Sequence, residues 1–349
     1  MDLDNGTPFP AVFMNTIISE ERMLGAVVVK AVFRIKDNAL VSDEGPPWPV
    51  GGMPFKTEYG DLEGETPFLR DGADLIVLGN AYPSQDTAGF VNVTIQAGKF
   101  AYGINVFGDR TWVRHRPDEP LIPSTPEPFS CIPLVWERAY GGKAQVDAGE
   151  MPFAANPAGR GFFIEESAAE GGLLPNLEDP DHPIQTWQDQ PDPRAPGPYP
   201  KEWSLRAHRA AEFNTEGPVP RLIKLKPAYF NNANPHLVLK PAPTPGEIIM
   251  VNNVQPKGGG CQFAIPELSF HVYVQLQDRP YVFPAHLDSI ILLTEEKRVI
   301  FGYRCVFRYR MVPLERRIAV LRTGPAPLAP PPEYFIQWAE PEMKVPAYE

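Results

Sequence analysis

The chain has 349 residues, with 32 Lys and Arg against 43 Asp and Glu, a net charge of −11. That balance excludes a protein whose main partner is a nucleic-acid backbone, which needs clustered positive charge, while 43% hydrophobic residues suffice for a core without disulfide or metal staples. Proline, 43 of the 349 residues, is more than twice as frequent as the usual ~5%, and excludes long helices over much of the chain because each interior proline costs about 3 kcal/mol.

The opening MDLDNGTPFP is acidic and polar where a secretory leader is basic and then apolar, and no apolar run approaches the roughly 20 residues that cross a bilayer. A soluble cytoplasmic protein without membrane insertion is the expectation. Residues 25–36 place Val27, Val29, Ala31, Phe33 and Ile35 on one side of a strand and Lys30, Arg34 and Lys36 on the other, the period-two pattern of a half-buried sheet. A short apolar strand follows at 75–79. Val91, Val93 and Ile95, then Phe100, Tyr102, Ile104 and Val106 across the turn Ala97-Gly98, predict a hairpin over 90–107.

Residues 117–245 hold 23 of the 43 prolines, yet also Trp136, Tyr140, Phe162, Trp187, Tyr199 and Trp203. Disordered tracts are poor in aromatics, so this segment reads as ordered irregular coil packed on the sheets, with one short helix near 201–213. Alternation resumes at 268–277, with Leu268, Phe270, Val272, Val274 and Leu276 facing one way. A strand at 289–293 comes next, and then 298–310, where Val299, Phe301, Tyr303, Cys305, Phe307 and Tyr309 share a face. The Pro-rich end, 323–349, reads as a tail or strap. The fold class is mainly β: two packed antiparallel sheets, sandwich-like, with a long ordered Pro-rich insertion. Four regions divide the chain, 1–116, 117–245, 246–322 and 323–349, within one compact unit.

Catalytic text is sparse. There is no GxSxG, HExxH, P-loop or GxGxxG, the six histidines are scattered, and Cys131, Cys261 and Cys305 fit no metal-ligand spacing. The expectation is no enzyme, no metal and no cofactor. Charge is segregated: residues 146–192 hold ten acids and one base, Arg160, while 297–317 hold seven bases and one acid. Arg298, Arg304, Arg308 and Arg310 have the same parity and form a charged interaction stripe on one strand face, expected to lie against the acidic segment.

The centre of the chain carries three ordered motifs: PFSCIPLVWERAYGG (128–142), NPAGRGF (156–162) and LPNLEDP (174–180). The flanks are VVKAVF (28–33), GDRTW (108–112), AYFNNA (228–233) and the YRCVFRYR strand. This text, over roughly residues 1–320, resembles a bacterial family encoded beside type VI secretion genes, with W/YERAFGG, NPxGRGF and LPNxEDP motifs; Tyr140 stands where Phe is usual, and AAEFN (210–214) follows Trp203 and Arg206 where family members show a G-T-Y-D-type stretch. The resemblance implies an adaptor or chaperone that binds a type VI effector, often through a PAAR-like region, and helps load it onto the VgrG spike. It singles out Trp136, Glu137, Arg138, Tyr140, Gly141, Gly142, Asn156, Pro157, Gly159, Arg160, Gly161, Pro175, Asn176, Glu178 and Asp179. Physically, the glycines suit tight backbone approach, and Arg160 is placed to bridge Glu178 or Asp179; these residues are expected to build the coil more than to touch cargo. The alternative is a carbohydrate-active or sugar-binding β-sandwich, whose catalytic carboxylates are distant in sequence and close only in space.

Overall fold

The computed structural model describes residues 1–19, 22–147, 149–214, 221–276, 279–310, 317–325 and 343–344. They form a mainly β protein with a sandwich-like core. The largest sheet has seven strands, in spatial order Ala11–Ser19, Arg22–Lys36, Arg298–Arg310, His286–Leu293, Ala73–Leu78 and Val238–Leu239, with Ala39–Ser42 folding back on Arg22–Lys36. All its neighbours are antiparallel except His286–Leu293 beside Ala73–Leu78.

Two further sheets make the facing layer. One is five-stranded, Leu177–Glu178, Phe100–Phe107, Phe90–Ala97, Ile248–Gln255 and Gly259–Ala264; the other is four-stranded, Asp2–Asn5, Ile318–Thr323, Phe270–Leu276 and Arg279–Pro284. The odd-numbered face of Arg298–Arg310 meets both, Phe301 against Phe263 of the first and Tyr303 and Phe307 against Phe270 and Phe283 of the second. Each of these aromatic contacts adds on the order of 0.5–1.5 kcal/mol beyond area burial. The facing layer is thus split in two, and Asp2–Asn5 pairs in parallel with Ile318–Thr323, so the sheets are not purely antiparallel.

The hairpin at 90–107 is present, with Val91, Val93, Ile95, Tyr102, Ile104 and Val106 buried. The strand at 25–36 departs from the half-buried expectation. Residues 24–31 are buried on both faces, Lys30 included, because the segment around Glu65 covers the even face and supplies an acid to pair with the lysine.

Between residues 117 and 245 the described chain forms only strands of two to five residues and short helices, of which Ser204–Ala210 lies in the window expected for one. Trp112, Leu121, Tyr140, Ala144, Phe162, Ala169, Leu174 and Ile184 close into a second core here. Of the expected tail, residues 326–342 and 345–349 lie outside the described residues, and Met343–Lys344 pairs with Lys224 and Leu225.

Candidate functional site

The three motifs close on one another. Trp136–Arg138 form a single 3-10 turn, after which Tyr140–Gly141 pairs in parallel with Arg160–Gly161. Ala139 bridges Leu177, and Leu177–Glu178 pairs with Val106 and Asn105, which hangs the third motif on the edge of the five-stranded sheet. Asn156, fully buried, donates from Nδ2 to the carbonyls of Trp136 at 2.8 Å and Tyr140 at 3.0 Å, and its own carbonyl accepts from Gly142 N at 2.8 Å. Two glycines are required by this closeness: a Cβ on Gly141 (φ +143°) would stand 2.1 Å from the Asn156 carbonyl oxygen, and one on Gly161 (φ +95°) 2.7 Å from Pro175 Cδ. Gly159 packs against Asn156 and the Ala139 carbonyl, Pro157 is half-buried, Pro175 is buried, and Glu137 is exposed.

Charge is tied off inside the same unit. Asp109, from GDRTW, receives Arg160 Nη2 at 2.9 Å, Arg138 Nη1 at 3.2 Å and Asn176 Nδ2 at 2.9 Å on a single oxygen. The Asn176 bond, with the two guanidiniums adding to it and partial burial opposing, holds the Asp109 carboxyl below the usual carboxylate range. Arg160 therefore does not bridge Glu178 or Asp179, as its setting among acids suggested. Glu178 is paired with buried Arg110, and Asp179 with Arg194 at 2.7 Å and His182 at 2.9 Å. Asp109 and Arg110, adjacent in sequence, serve all three motifs from one loop. Tyr140 is buried, and its hydroxyl finds no hydrogen-bond partner among the described residues.

Residues 20–304 match the model of a family described as an uncharacterized protein conserved in bacteria, DUF2169. The chain belongs to that family. No curated protein and no solved structure matches it. The DUF2169 match spans all three motifs and the loop that carries Asp109.

It also spans a second unit that sequence reasoning missed. On the even face of the large sheet lies a buried network of three cations and three anions. Lys30 Nζ is 2.5 Å from Glu65; Arg304 pairs with both Glu65 and Asp288; and Arg70 reaches Glu65 at 3.6 Å, Asp74 at 3.4 Å and Asp288 at 4.0 Å. Burial pushes the Glu65 carboxyl up, but Lys30, Arg70 and Arg304 together pull it far below the ordinary range. Asn231 and Asn232, from AYFNNA, each donate to Asp74 at 2.8 Å, one through its side-chain amide and one through its backbone N–H, and Arg206 joins Glu63 to the Tyr199 and Tyr229 carbonyls. Gly302 makes the room: a Cβ there would be 2.1 Å from Ser289 Oγ and 2.8 Å from Lys30 Nζ. A cavity of about 40 Å³ beside Lys30, Glu65 and Arg70 has space for a few waters.

The arginine stripe resolves accordingly. Arg298, buried, pairs with Asp43 at 2.7 Å, and Arg304 with Glu65 and Asp288, so acids of the first 65 residues and of the neighbouring strand neutralise this half. The 146–192 segment does not: its Glu150, Glu166, Glu178 and Asp179 pair instead with Lys143, Arg114, Arg110 and Arg194. The reason is position, since that segment packs around the second core while the even face is covered by residues 43–74. Arg308 is half-buried and Arg310 exposed. Among the described residues no group of His, Cys, Asp and Glu is arranged to hold a metal ion, and no helix is long and apolar enough to cross a membrane. Burial pushes the Cys261 thiol up to about 11 and the Cys305 thiol higher still, which makes both inert packing groups.

Proposed function

We propose that the chain is a non-catalytic adaptor of the bacterial cytoplasm that holds a type VI secretion effector, through a PAAR-like region, and assists its loading onto the VgrG spike. One observation carries the reading: the three ordered motifs on which the resemblance rests interlock as a single buried scaffold, with Asn156 and Asn176 fully buried and bonded to main chain. Motifs of this kind specify a shape that family members share, and function is then supplied by surfaces built on it. The mechanism is non-covalent, with an extended piece of cargo adding to a sheet edge or outer face, as in β-augmentation.

The test is co-expression with a candidate type VI effector that carries a PAAR-like region. A cargo held by folded adaptor gains about 2.7 kcal/mol when free adaptor is a hundred times Kd, so soluble effector and its melting temperature both rise. If neither changes with adaptor well above the cargo concentration, the proposal fails.

A further inference from the structure

The outer strand of the large sheet, Ala11–Ser19 (AVFMNTIIS), carries no charge, no proline and no glycine over nine residues. Among the described residues no strand pairs with its outer side. Residues 11–18 all keep partial or full exposure, with Ile17 at 61%, whereas their partners 24–29 are buried. Unpaired edges of this length template association with another strand, and proteins blunt them with charge, proline, bulges or shortness. Here the strand carries only a register shift at its end, between Ile17 and Ser19, while other edges are blunted more fully. Asp2–Asn5 has two aspartates in four residues, Val238–Leu239 is two residues long, Arg279–Pro284 begins with Arg279-Pro280 and ends in proline, and Gly259–Ala264 starts with two glycines beside a register break.

We infer that Ala11–Ser19 pairs with the same strand of a second copy, antiparallel about Asn15, joining two seven-stranded sheets across a two-fold axis. The strand's chemistry selects this occupant. In that register Asn15 meets its own mate, Phe13 meets Ile17 on the odd face, and Val12 meets Ile18 and Met14 meets Thr16 on the even face. These are amide–amide, aromatic–β-branched and apolar pairs of the kind that stabilise sheets, and with no charged side chain in the strand nothing repels its copy. Asn15 is exposed, and its amide bonds Tyr309 Oη at 2.9 Å on the same face. The strand precedes the matched residues 20–304, and self-pairing stands apart from the adaptor proposal.

A charge swap at the axis tests it. The mass of the full chain is measured by light scattering after gel filtration for wild type, Asn15→Lys, Asn15→Glu and an equimolar mixture of the two variants. Wild type is expected as a dimer. Each variant, with like charges face to face, is expected to raise the dimer Kd about fivefold, and adding Ile17→Lys takes it further; the Lys/Glu mixture recovers the dimer. A monomeric wild type overturns the inference, including the case in which the edge takes a strand of the cargo instead. Dimers unmoved by either variant overturn this interface, and variants that weaken the dimer without recovery on mixing overturn the two-fold register. Thermal unfolding of each variant, expected unchanged because position 15 is exposed, separates lost pairing from lost folding.

Discussion

Replacing Arg304 by Met tests the buried network where the structure gives the sharpest number. Arg304 is 1% exposed and pairs with Glu65 and Asp288 while donating to the Thr66 carbonyl. Its loss turns a set of three cations and three anions into one with an uncompensated negative charge, a change that costs about 3 to 5 kcal/mol. At about 2.1 cal/mol/K per residue, 349 residues have an unfolding entropy near 0.7 kcal/mol/K, so the melting temperature is expected to fall by about 4 to 7 °C. Differential scanning calorimetry reads this directly. A second variant, Arg304→Met with Asp288→Asn, removes one charge of each sign and is expected to recover part of the loss, since the remaining charges again sum to zero. The network also sets acid behaviour. Glu65 has a folded pKa far below its unfolded value, so its contribution is complete above about pH 4.3 and is lost progressively as pH falls below it. Acid unfolding of Glu65→Gln is therefore expected to be shallower than wild type. Unchanged melting in the single variant, or additive losses in the double, would refute the coupling.

Three expectations concern the motif unit. Asn156→Ala takes the side-chain donor from the Tyr140 carbonyl and one of two donors from the Trp136 carbonyl, which keeps Ala139 N–H, and opens a void; it is expected to destabilise by about 2 to 4 kcal/mol, read as a lower urea midpoint. Gly161→Ala meets both positive φ and Pro175 Cδ at 2.7 Å; a loss exceeding about 1 kcal/mol is expected in the same titration, and none would show that the loop relaxes freely. Tyr140→Phe removes a buried hydroxyl that has no partner among the described residues, so stability is expected to hold or to rise by up to about 1 kcal/mol; a clear drop would mean that the hydroxyl is bonded.

Strands that announce themselves by local alternation, at 25–36, 90–107, 268–277 (a strand over Phe270–Leu276) and 298–310, are legible, because period two is a property of neighbouring residues. What pairs with them is not. Arg22–Lys36 lies beside Arg298–Arg310, and Phe90–Ala97 beside Ile248–Gln255, so the first and third regions of the chain interleave in the same sheets, and no local pattern reports a partner hundreds of residues away. The acids that pair with Arg298 and Arg304, namely Asp43, Glu65 and Asp288, come from elements whose position only the fold supplies. The same holds for Arg160, whose partner Asp109 lies 51 residues upstream. Two weak signals did exist: Lys30 inside an otherwise apolar run, and Gly302 inside a strand where glycine weakens pairing unless something must approach closely.

If the motifs hold the scaffold and cargo is held elsewhere, Arg160→Ala lowers stability and spares binding. Arg160 is 19% exposed at its side chain and Asp109 45% exposed, so solvent screening discounts the pair to about 1 to 2 kcal/mol. A urea titration of wild type and variant, run beside a binding assay with the co-expressed effector under conditions where both proteins are folded, is expected to show a lower midpoint with cargo affinity unchanged. An unchanged midpoint with lost binding would contradict the claim and place Arg160 in the interface.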